Sequence, residues 1–272
     1  EKNNIDELND INTFPIGYKK LPSNNGFTWG YNDNELFRYY LNTRPAKKDH
    51  QPQLSVILTV AMHSPFLIDE ADKYSEVFEN RMDYLGFNET KKNNYRNYKK
   101  QYSSIMYTDE ALKTFFEAYK KREDYSNTIF LITGDHRIPE IPMSTKIDRY
   151  HVPLIIFSPM LERTAEIASV STHFDIPSSL LAFLKTNFEI QTPMQNSWLG
   201  QGLDTTRGFQ NLHQIPLMQT KTNMIDFIMG EYHLNGDKLY KLNEDLGEEL
   251  VNDDEKKDQL INAFNQFKKK NN

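Results

Sequence analysis

Apolar residues along this chain gather in short blocks that are separated by long polar stretches. Three of these blocks have the length of a strand and are rich in β-branched residues. They read QLSVILTVAM (53–62), NTIFLIT (127–133) and HVPLIIFSP (151–159). None shows the strict alternation of a strand with one wet face, and a continuous apolar run is typical of a parallel strand covered on both faces. We therefore predict three buried strands.

Between these blocks, apolar residues recur at three- and four-residue spacing, which predicts amphipathic helices. The predicted helices cover residues 33–43, 102–124 and 174–186. Asp33 is placed to cap the first helix, and Pro177 falls in the first turn of the third, where its missing N–H costs nothing. Residues 67–100 have only weak helical texture, and we interpret them as an excursion over the surface.

Strands that alternate with helices predict an α/β fold with a mainly parallel sheet flanked by helices. We expect this main domain to take up residues 1–200. Beyond it the chain is more polar, and residues 236–252 predict a short strand or hairpin that leads into a last helix with a lysine-rich end. We therefore expect residues 201–272 to form a smaller strand–helix extension that packs on the same domain.

The composition limits the classes of partner and the chemistry. The formal net charge is −6, so nucleic acid is not expected as a partner, because phosphate binding requires a basic face. Cysteine is absent, so a metal site would have to use His, Asp, Glu or hydroxyl ligands. No apolar run in the sequence approaches the roughly 20 residues that a membrane span needs.

Ionisable residues follow two of the predicted strands, at the strand ends where parallel sheets bind their ligands. Gly134, Asp135 and His136 come directly after the second strand. An adjacent carboxylate and imidazole are suitable ligands for a divalent cation such as Mn²⁺ or Zn²⁺, and the glycine lets the backbone turn sharply. The alternative is an ordinary strand-end turn in which the Asp135 carboxylate accepts a backbone N–H.

Four further side chains are candidates for contact with a substrate. His63 follows the first strand and is suited to general acid catalysis or to contact with a phosphoryl or sulfuryl oxygen, the alternative being a structural histidine. Arg137 is suited to a bidentate oxyanion contact or to a salt bridge. Trp29 either walls a sugar or glycerol pocket or simply packs. His173 precedes the third helix and could be a metal ligand, a substrate contact or a structural residue. Asp175 is placed to cap that helix.

Five segments along the chain carry a resemblance to a known family. They read TWGYNDNELF, LTVAMHSPF, SNTIFLITGDHR, HVPLIIFSP and THFDIPSSLLAFL. In this order they resemble the C-terminal part of the catalytic domain in the sulfatase branch of the alkaline phosphatase superfamily. Within that branch the chain looks most like the lipoteichoic acid synthase-like phosphoglycerol transferases. The resemblance runs from about Phe27 to Leu184.

The resemblance implies roles for the candidate residues. Asp135 and His136 would bind one catalytic divalent metal ion, Mn²⁺ or Zn²⁺, with Mg²⁺ or Ca²⁺ as alternatives. His63 would face the phosphoryl or sulfuryl group or the leaving group, and Trp29 would lie near the substrate head group. The role of His173 stays open, because many relatives carry another polar residue at that point.

The implied function is a metal-dependent phosphoryl-group transferase or hydrolase that acts through a covalent intermediate on a hydroxyl nucleophile. A sulfatase, a phosphoethanolamine transferase-like enzyme and a non-catalytic relative that binds anionic ligands are the alternatives. In the family the nucleophile lies upstream of the Trp-Gly segment, and here only 28 residues precede Trp29. None of these residues forms a strand that ends in Thr or Ser at a helix start. We therefore expect an upstream region outside this chain to supply the nucleophile, and the chain alone to be inactive.

The resemblance also implies a substrate and a location. The substrate would be an anionic phospholipid or a glycan-linked phosphoester or sulfate ester. Full-length relatives commonly carry N-terminal membrane helices. The domain is therefore expected at the extracytoplasmic face of a bacterial cell envelope, anchored to the membrane by a region that is not in this chain.

Overall fold

The structure, a computed structural model, describes residues 5–46, 52–195, 199–218, 220, 222 and 224–271. The chain folds into two compact units. The first unit consists of Glu1–Gly134, Ile138–Pro142 and Pro153–Leu161, and the second of Asp135–Arg137, Met143–Val152 and Glu162–Asn272. The predicted domain boundary at residue 200 stays a prediction.

Helices dominate the first unit. They are α1 (Asp33–Thr43), α2 (Ala71–Tyr84), α3 (Glu89–Arg96) and α4 (Lys99–Tyr119). The long α4 packs against both α1 and α2. The predicted helix over 33–43 is confirmed within its bounds, and the one over 102–124 is confirmed as α4, which begins and ends slightly earlier. Residues 67–100 are more helical than their sequence indicates, because a few buried side chains of α2, such as Phe78 and Met82, are enough to fix that helix on α4.

The first turn of α1 differs from the prediction. Asn32 caps the helix, because its side chain accepts the N–H of Glu35, and Asp33 is the first helical residue. An Asn followed by Glu three residues later is a capping-box pattern. The prediction that Asp33 caps α1 was therefore wrong, and its carboxylate is left for other contacts.

Two clusters of buried side chains form the core of the first unit. One joins α1 to α4 and contains Phe37, Ala111, Phe115 and Tyr119. The other contains Leu21, Ala61, Ile68, Tyr74 and Tyr107. Ala61 is two residues ahead of His63 in the sequence, so the second cluster anchors the segment that carries this histidine.

Strands β1 (Phe130–Thr133) and β2 (Leu154–Phe157) form a two-stranded sheet in the first unit. They run antiparallel, with Phe130 opposite Phe157 and Thr133 opposite Leu154. The predicted parallel pairing is therefore wrong for these strands. A parallel pair needs a long crossover, usually an α-helix, whereas the described secondary structure between β1 and β2 is a single 3₁₀ turn, Ile147–Arg149.

The first predicted strand, residues 53–62, is not a strand in the structure. Its described residues form no ladder with any other described segment. Leu54, Val56 and Leu58 are 82%, 87% and 66% exposed, while Ile57 packs against the α1–α4 cluster. A strand needs a neighbour to pair its backbone N–H and C=O groups, and an apolar sequence does not by itself show that a neighbour is present.

The first α-helix of the second unit is α5 (Asp175–Phe188), which confirms the predicted helix with Pro177 in its first turn. In the part of the chain that the structure describes, five strands and a helix follow. These are β3 (Gln214–Leu217), β4 (Asp226–Met229), β5 (Tyr232–Asn235), β6 (Lys238–Leu242), β7 (Glu248–Val251) and α6 (Asp254–Lys270). Each strand pairs antiparallel with the next, so the sheet is a meander.

The C-terminal elements confirm the predicted hairpin and last helix and extend them. The hairpin over 236–252 corresponds to β6 and β7, and α6 ends in three lysines. Helix α6 packs its Leu260 and Phe264 against side chains of the sheet, with the Phe264 ring stacked 5.0 Å from that of Phe227. None of the helices that the structure describes has the length and apolarity needed to cross a membrane.

Candidate functional site

Asp135 and His136 come directly after β1 in the sequence and belong to the second unit. The backbone N–H of His136 donates to Asp135 Oδ1 at 2.9 Å. On the ring of His136, Nε2 lies 3.8 Å from Asp135 Oδ2, and the two side chains are 58% and 70% exposed. The carboxylate and the imidazole therefore lie side by side and are accessible to solvent.

The tautomer of His136 suits metal binding. Its Nδ1 lies 2.6 Å from the carbonyl oxygen of Arg137. A carbonyl oxygen only accepts hydrogen bonds, so Nδ1 carries a proton, and in the neutral ring Nε2 keeps its lone pair. A ring N–H held by a backbone carbonyl is the usual way in which proteins orient a histidine ligand.

The spacing of the two side chains also suits a shared cation. Two ligand atoms that each lie about 2.1 Å from a metal ion are roughly 3–4 Å apart, and the separation of Nε2 and Oδ2 is 3.8 Å. Within the described ranges of the chain, no group of three or more His, Cys, Asp or Glu side chains is arranged to hold a metal. Asp135 and His136 thus fit a metal site as two of its ligands.

Arg137 and His173 also belong to the second unit. The carbonyl of Arg137 orients His136, a backbone role that its sequence did not predict. His173 is exposed just before α5, and its carbonyl oxygen accepts the N–H of Ile176 at 3.4 Å. The predicted substrate contacts of the Arg137 guanidinium and the His173 ring stay predictions.

Asp175 does not cap α5, contrary to the prediction. Its Oδ2 accepts the backbone N–H and the hydroxyl of Thr172, at 2.6 and 2.8 Å. Its Oδ1 accepts the N–H groups of Gln201 and Gly202, at 2.9 and 3.2 Å. Burial raises the pKa of Asp175, but the hydrogen bonds from Thr172 and Gln201 outweigh burial, so the pKa lies below its usual range. Asp175 is a structural link between two loops.

Trp29 and His63 lie together in the first unit. Their ring centroids are 3.7 Å apart and the rings are tilted by 41°. The indole N–H of Trp29 donates to the carbonyl of Ser64 at 2.7 Å, and His63 Nδ1 lies 3.2 Å from the same oxygen. The two predicted substrate contacts are therefore neighbours, although they are 34 positions apart in the sequence.

These two rings line a small, shallow pocket at the surface. Most of the other lining residues are apolar, and Phe27 packs edge-on against Trp29 at a centroid distance of 5.1 Å. Asn24 and Thr28 add polar groups to the lining. An apolar wall with a few polar groups is the composition typical of a small-molecule site, although this pocket is smaller than such sites usually are.

Asp33, four residues after Trp29, has contacts that the sequence did not indicate. It is completely buried, although it lies at the start of a surface helix. Burial raises its pKa, and hydrogen bonds from Thr108, Val60 and Ala61 only partly offset that effect. The capping-box pattern from Asn32 to Glu35 is the sequence signal that identifies Asn32, and not Asp33, as the helix cap.

Comparison with solved structures shows that the fold is similar to that of alkaline phosphatase superfamily proteins. The structure is similar to that of an alkaline phosphatase superfamily protein from Vibrio parahaemolyticus, with a TM-score of 0.53 and 17% identity, covering 89% of this chain and 55% of that one. It is also similar to the lipoteichoic acid synthase LtaP from Listeria monocytogenes, with a TM-score of 0.54 and 18% identity, covering 88% of this chain and 57% of that one.

Sequence comparison narrows the class. The sulfatase family model matches residues 3–186, and the chain therefore belongs to the sulfatase family. It is also 29% identical over 132 residues to the lipoteichoic acid synthase-like protein YvgJ of Bacillus subtilis (strain 168). That match covers 48% of this chain and 18% of YvgJ, so the chain spans only part of the relatives it resembles. The resemblance seen in the sequence is confirmed.

Proposed function

We propose that this chain carries the metal-binding part of a phosphoglycerol transferase-like enzyme, which transfers a phosphoryl group by way of a covalent intermediate. The observation that carries the proposal is the exposed pair of Asp135 Oδ2 and His136 Nε2, 3.8 Å apart, in a chain of the sulfatase family. The names of YvgJ and LtaP, both related to lipoteichoic acid synthase, favour a phosphoryl over a sulfuryl group.

Asp135 and His136 would hold one divalent ion, Mn²⁺ or Zn²⁺, which would polarise the ester and stabilise the charge that develops on its oxygens. The protein's own contribution is to fix the two ligand atoms in advance. The His136 N–H bond to Asp135 orients the carboxylate, and the Arg137 carbonyl orients the imidazole. The guanidinium of Arg137 is suited to an equatorial oxygen of the same ester.

Trp29 and His63 are proposed to handle the alcohol part of the substrate. The indole face offers an apolar platform for the carbon atoms of a glycerol or sugar group. Since Nδ1 of His63 faces the carbonyl of Ser64, Nδ1 carries the proton in the neutral ring and Nε2 is available to accept or return one.

The reaction would run in two displacements. A hydroxyl nucleophile gives its proton to His63 Nε2 and bonds to phosphorus, while the bond to the leaving alcohol breaks and Nε2 passes that proton to the leaving oxygen. An acceptor hydroxyl then gives its proton to His63 Nε2 and bonds to phosphorus, and the departing nucleophile oxygen takes that proton back. We propose that a polypeptide region outside this chain supplies that nucleophile, as the sequence predicts.

The proposed substrate is an anionic phospholipid or a glycan-linked phosphoester. The proposed location is the extracytoplasmic face of the bacterial cell envelope, with a membrane anchor outside this chain. Both proposals are supported by the similarity to the two lipoteichoic acid synthase-related proteins.

Hydrolysis of bis(p-nitrophenyl) phosphate in the presence of Mn²⁺ tests the proposal, with p-nitrophenyl sulfate as the competing substrate. The longest polypeptide that the gene encodes should cleave the phosphodiester faster than the sulfate, and this chain alone should cleave neither. Asp135→Ala should abolish the activity, whereas Asp237→Ala, at an exposed turn between β5 and β6, should not. Activity of this chain alone that Asp135→Ala removes would contradict the proposed origin of the nucleophile. Equal activity in the two variants would contradict the metal pair.

A further inference from the structure

The carboxylate of Asp33 is held in an unusual way for a residue in the first turn of a helix. Its side chain is fully buried, and none of the ion pairs found among the described residues involves it. Its three hydrogen-bond donors are all neutral. Burying a charged group without a cation is costly, and folding alone would be served as well by a neutral side chain.

The donors to Asp33 come from the segment that carries His63. Oδ1 accepts the backbone N–H groups of Val60 and Ala61, each at 3.2 Å. The carbonyl of Val60 in turn accepts the N–H of His63 at 3.1 Å. The Asp33 carboxylate therefore binds the backbone at the start of the turn in which His63 lies. Among the described residues, Oδ2 accepts a hydrogen bond from the hydroxyl of Thr108 on α4, at 2.6 Å.

Trp29 makes a second link to the turn that carries His63. It lies four residues before Asp33, in the segment that enters α1. Its indole N–H reaches the carbonyl of Ser64, next to His63, at 2.7 Å. Two links thus join the α1 entry to the His63 turn, and of these the link through Asp33 is buried while the link through Trp29 lies at the surface.

We propose that Asp33 is a positioning residue that holds the imidazole of His63 against Trp29 and so keeps the pocket that both rings line in shape. Its consequence for substrate binding rests on the function proposed above. The two oxygens of Asp33 have separate tasks, since Oδ1 positions the His63 turn and Oδ2 ties α1 to α4. That separation provides a matched pair of variants.

Two other roles fit the geometry less well. A helix cap would accept N–H groups of its own helix, and Asn32 already does so. A purely stabilising link would not distinguish the two oxygens, so removing either set of donors would have similar local effects. Only the positioning role predicts that the loss of Oδ1 contacts disturbs Trp29 and His63 while the loss of the Oδ2 contact does not.

The indole N–H resonance of Trp29 gives a direct readout of this contact. The chain has two tryptophans, and Trp198→Phe leaves Trp29 as the single indole in a ¹H–¹⁵N spectrum. In that background, Asp33→Ala should move the indole peak toward the position of a solvated indole and speed its exchange with water about tenfold. Asp33→Asn should restore the parent peak, because its amide oxygen still accepts both backbone N–H groups.

Thr108→Val is the matched control. It removes the hydroxyl that bonds Oδ2 and leaves the Oδ1 contacts in place, so it should lower the unfolding midpoint without moving the Trp29 peak. A peak that stays in place in folded Asp33→Ala would overturn the proposal, as would a Thr108→Val shift of the same size. If Asp33→Ala does not fold, Asp33→Ser takes its place with the same expected outcomes, because its side chain is too short to reach both N–H groups.

A titration with glycerol phosphate, followed at the same peak, separates this proposal from the proposed function. Asp33→Ala should weaken binding about tenfold, the factor that one lost net hydrogen bond corresponds to. Asp33→Asn and Thr108→Val should bind like the parent. If the parent binds no glycerol phosphate while the Trp29 peak responds as expected, the positioning role stands and the proposed function fails. Equal binding by the parent and Asp33→Ala would overturn the role of Asp33 in the pocket.

Discussion

Replacement of His233 by phenylalanine should cost the second unit about 3 kcal/mol of unfolding free energy. His233 is fully buried on β5, between a carboxylate of β4 and one of β7. Its Nδ1 lies 2.5 Å from Glu248 Oε1 and its Nε2 lies 2.8 Å from Asp226 Oδ1. Each ring nitrogen thus shares a hydrogen bond with one of the two buried acids. The substitution keeps a ring of similar size but leaves two buried carboxylates without that partner.

The magnitude follows from what each acid retains. Removing one partner of a buried ion pair costs about 3–5 kcal/mol. Asp226 keeps hydrogen bonds from the Tyr150 hydroxyl, at 2.5 Å, and the Asn235 amide, at 2.6 Å. Glu248 also keeps a backbone N–H donor, that of Lys146, at 2.5 Å. These remaining donors place the expected loss at the lower end of that range.

Urea unfolding followed by far-UV circular dichroism measures the loss, and hydrogen exchange of the β4–β7 amides assigns it to the second unit. Tyr150→Phe is the matched control, because it removes one donor to Asp226 and leaves His233 in place. It should cost only about 1 kcal/mol. A loss below about 1 kcal/mol in His233→Phe, or equal losses in the two variants, would refute the view that the His233 ring holds both buried acids by hydrogen bonds.

Three further predictions concern stability. Burial raises the pKa of Asp226, but hydrogen bonds, first that from His233, outweigh burial and the net pKa is lowered. The stability that the Asp226 carboxylate contributes should therefore be full above about pH 4 and be lost as the pH falls through the lowered pKa. Asp226→Asn should remove this acid dependence in urea titrations. Burial raises the pKa of Asp33, so its ionisation should destabilise the fold as the pH rises from about 4 through the raised value, and Asp33→Asn should be at least as stable as the parent at pH 7 by thermal unfolding. Leu260 on α6 is fully buried, and Leu260→Ala should cost about 2–5 kcal/mol in urea unfolding, whereas the exposed Leu250→Ala should cost under about 0.5 kcal/mol.

Local signals in the sequence predicted four helices, α1, α4, α5 and α6, but not α2 and α3. The spacing of apolar residues gave α1, α4 and α5, and the lysine-rich end and preceding hairpin gave α6. These elements form from contacts between residues close in sequence, which periodicity and capping patterns report directly. Strands depend on distant partners. The run at 53–62 has the composition of a strand, but no described segment pairs with it. Nothing in the residues of the run itself indicates that a pairing strand is missing.

The candidate site divides along the same line. The adjacency of Asp135 and His136 is a local property of one turn, so its side-by-side geometry could be expected, while its role in metal binding stays a prediction. The sequence suggested substrate contact for Trp29 and, independently, for His63. Their contact in the structure agrees with both suggestions. The links made by Asp33 and by His233 join segments that are distant in sequence or paired across a sheet. Only the folded chain brings those groups together.

The central claim is that Asp135 and His136 share a divalent cation. A crystal of this chain soaked in MnCl₂, with data collected at the manganese absorption edge, tests it most directly. The account predicts an anomalous peak about 2.1–2.2 Å from both His136 Nε2 and Asp135 Oδ2, which is absent from crystals of Asp135→Ala. Well-ordered side chains at both positions with no anomalous peak between them would contradict the account.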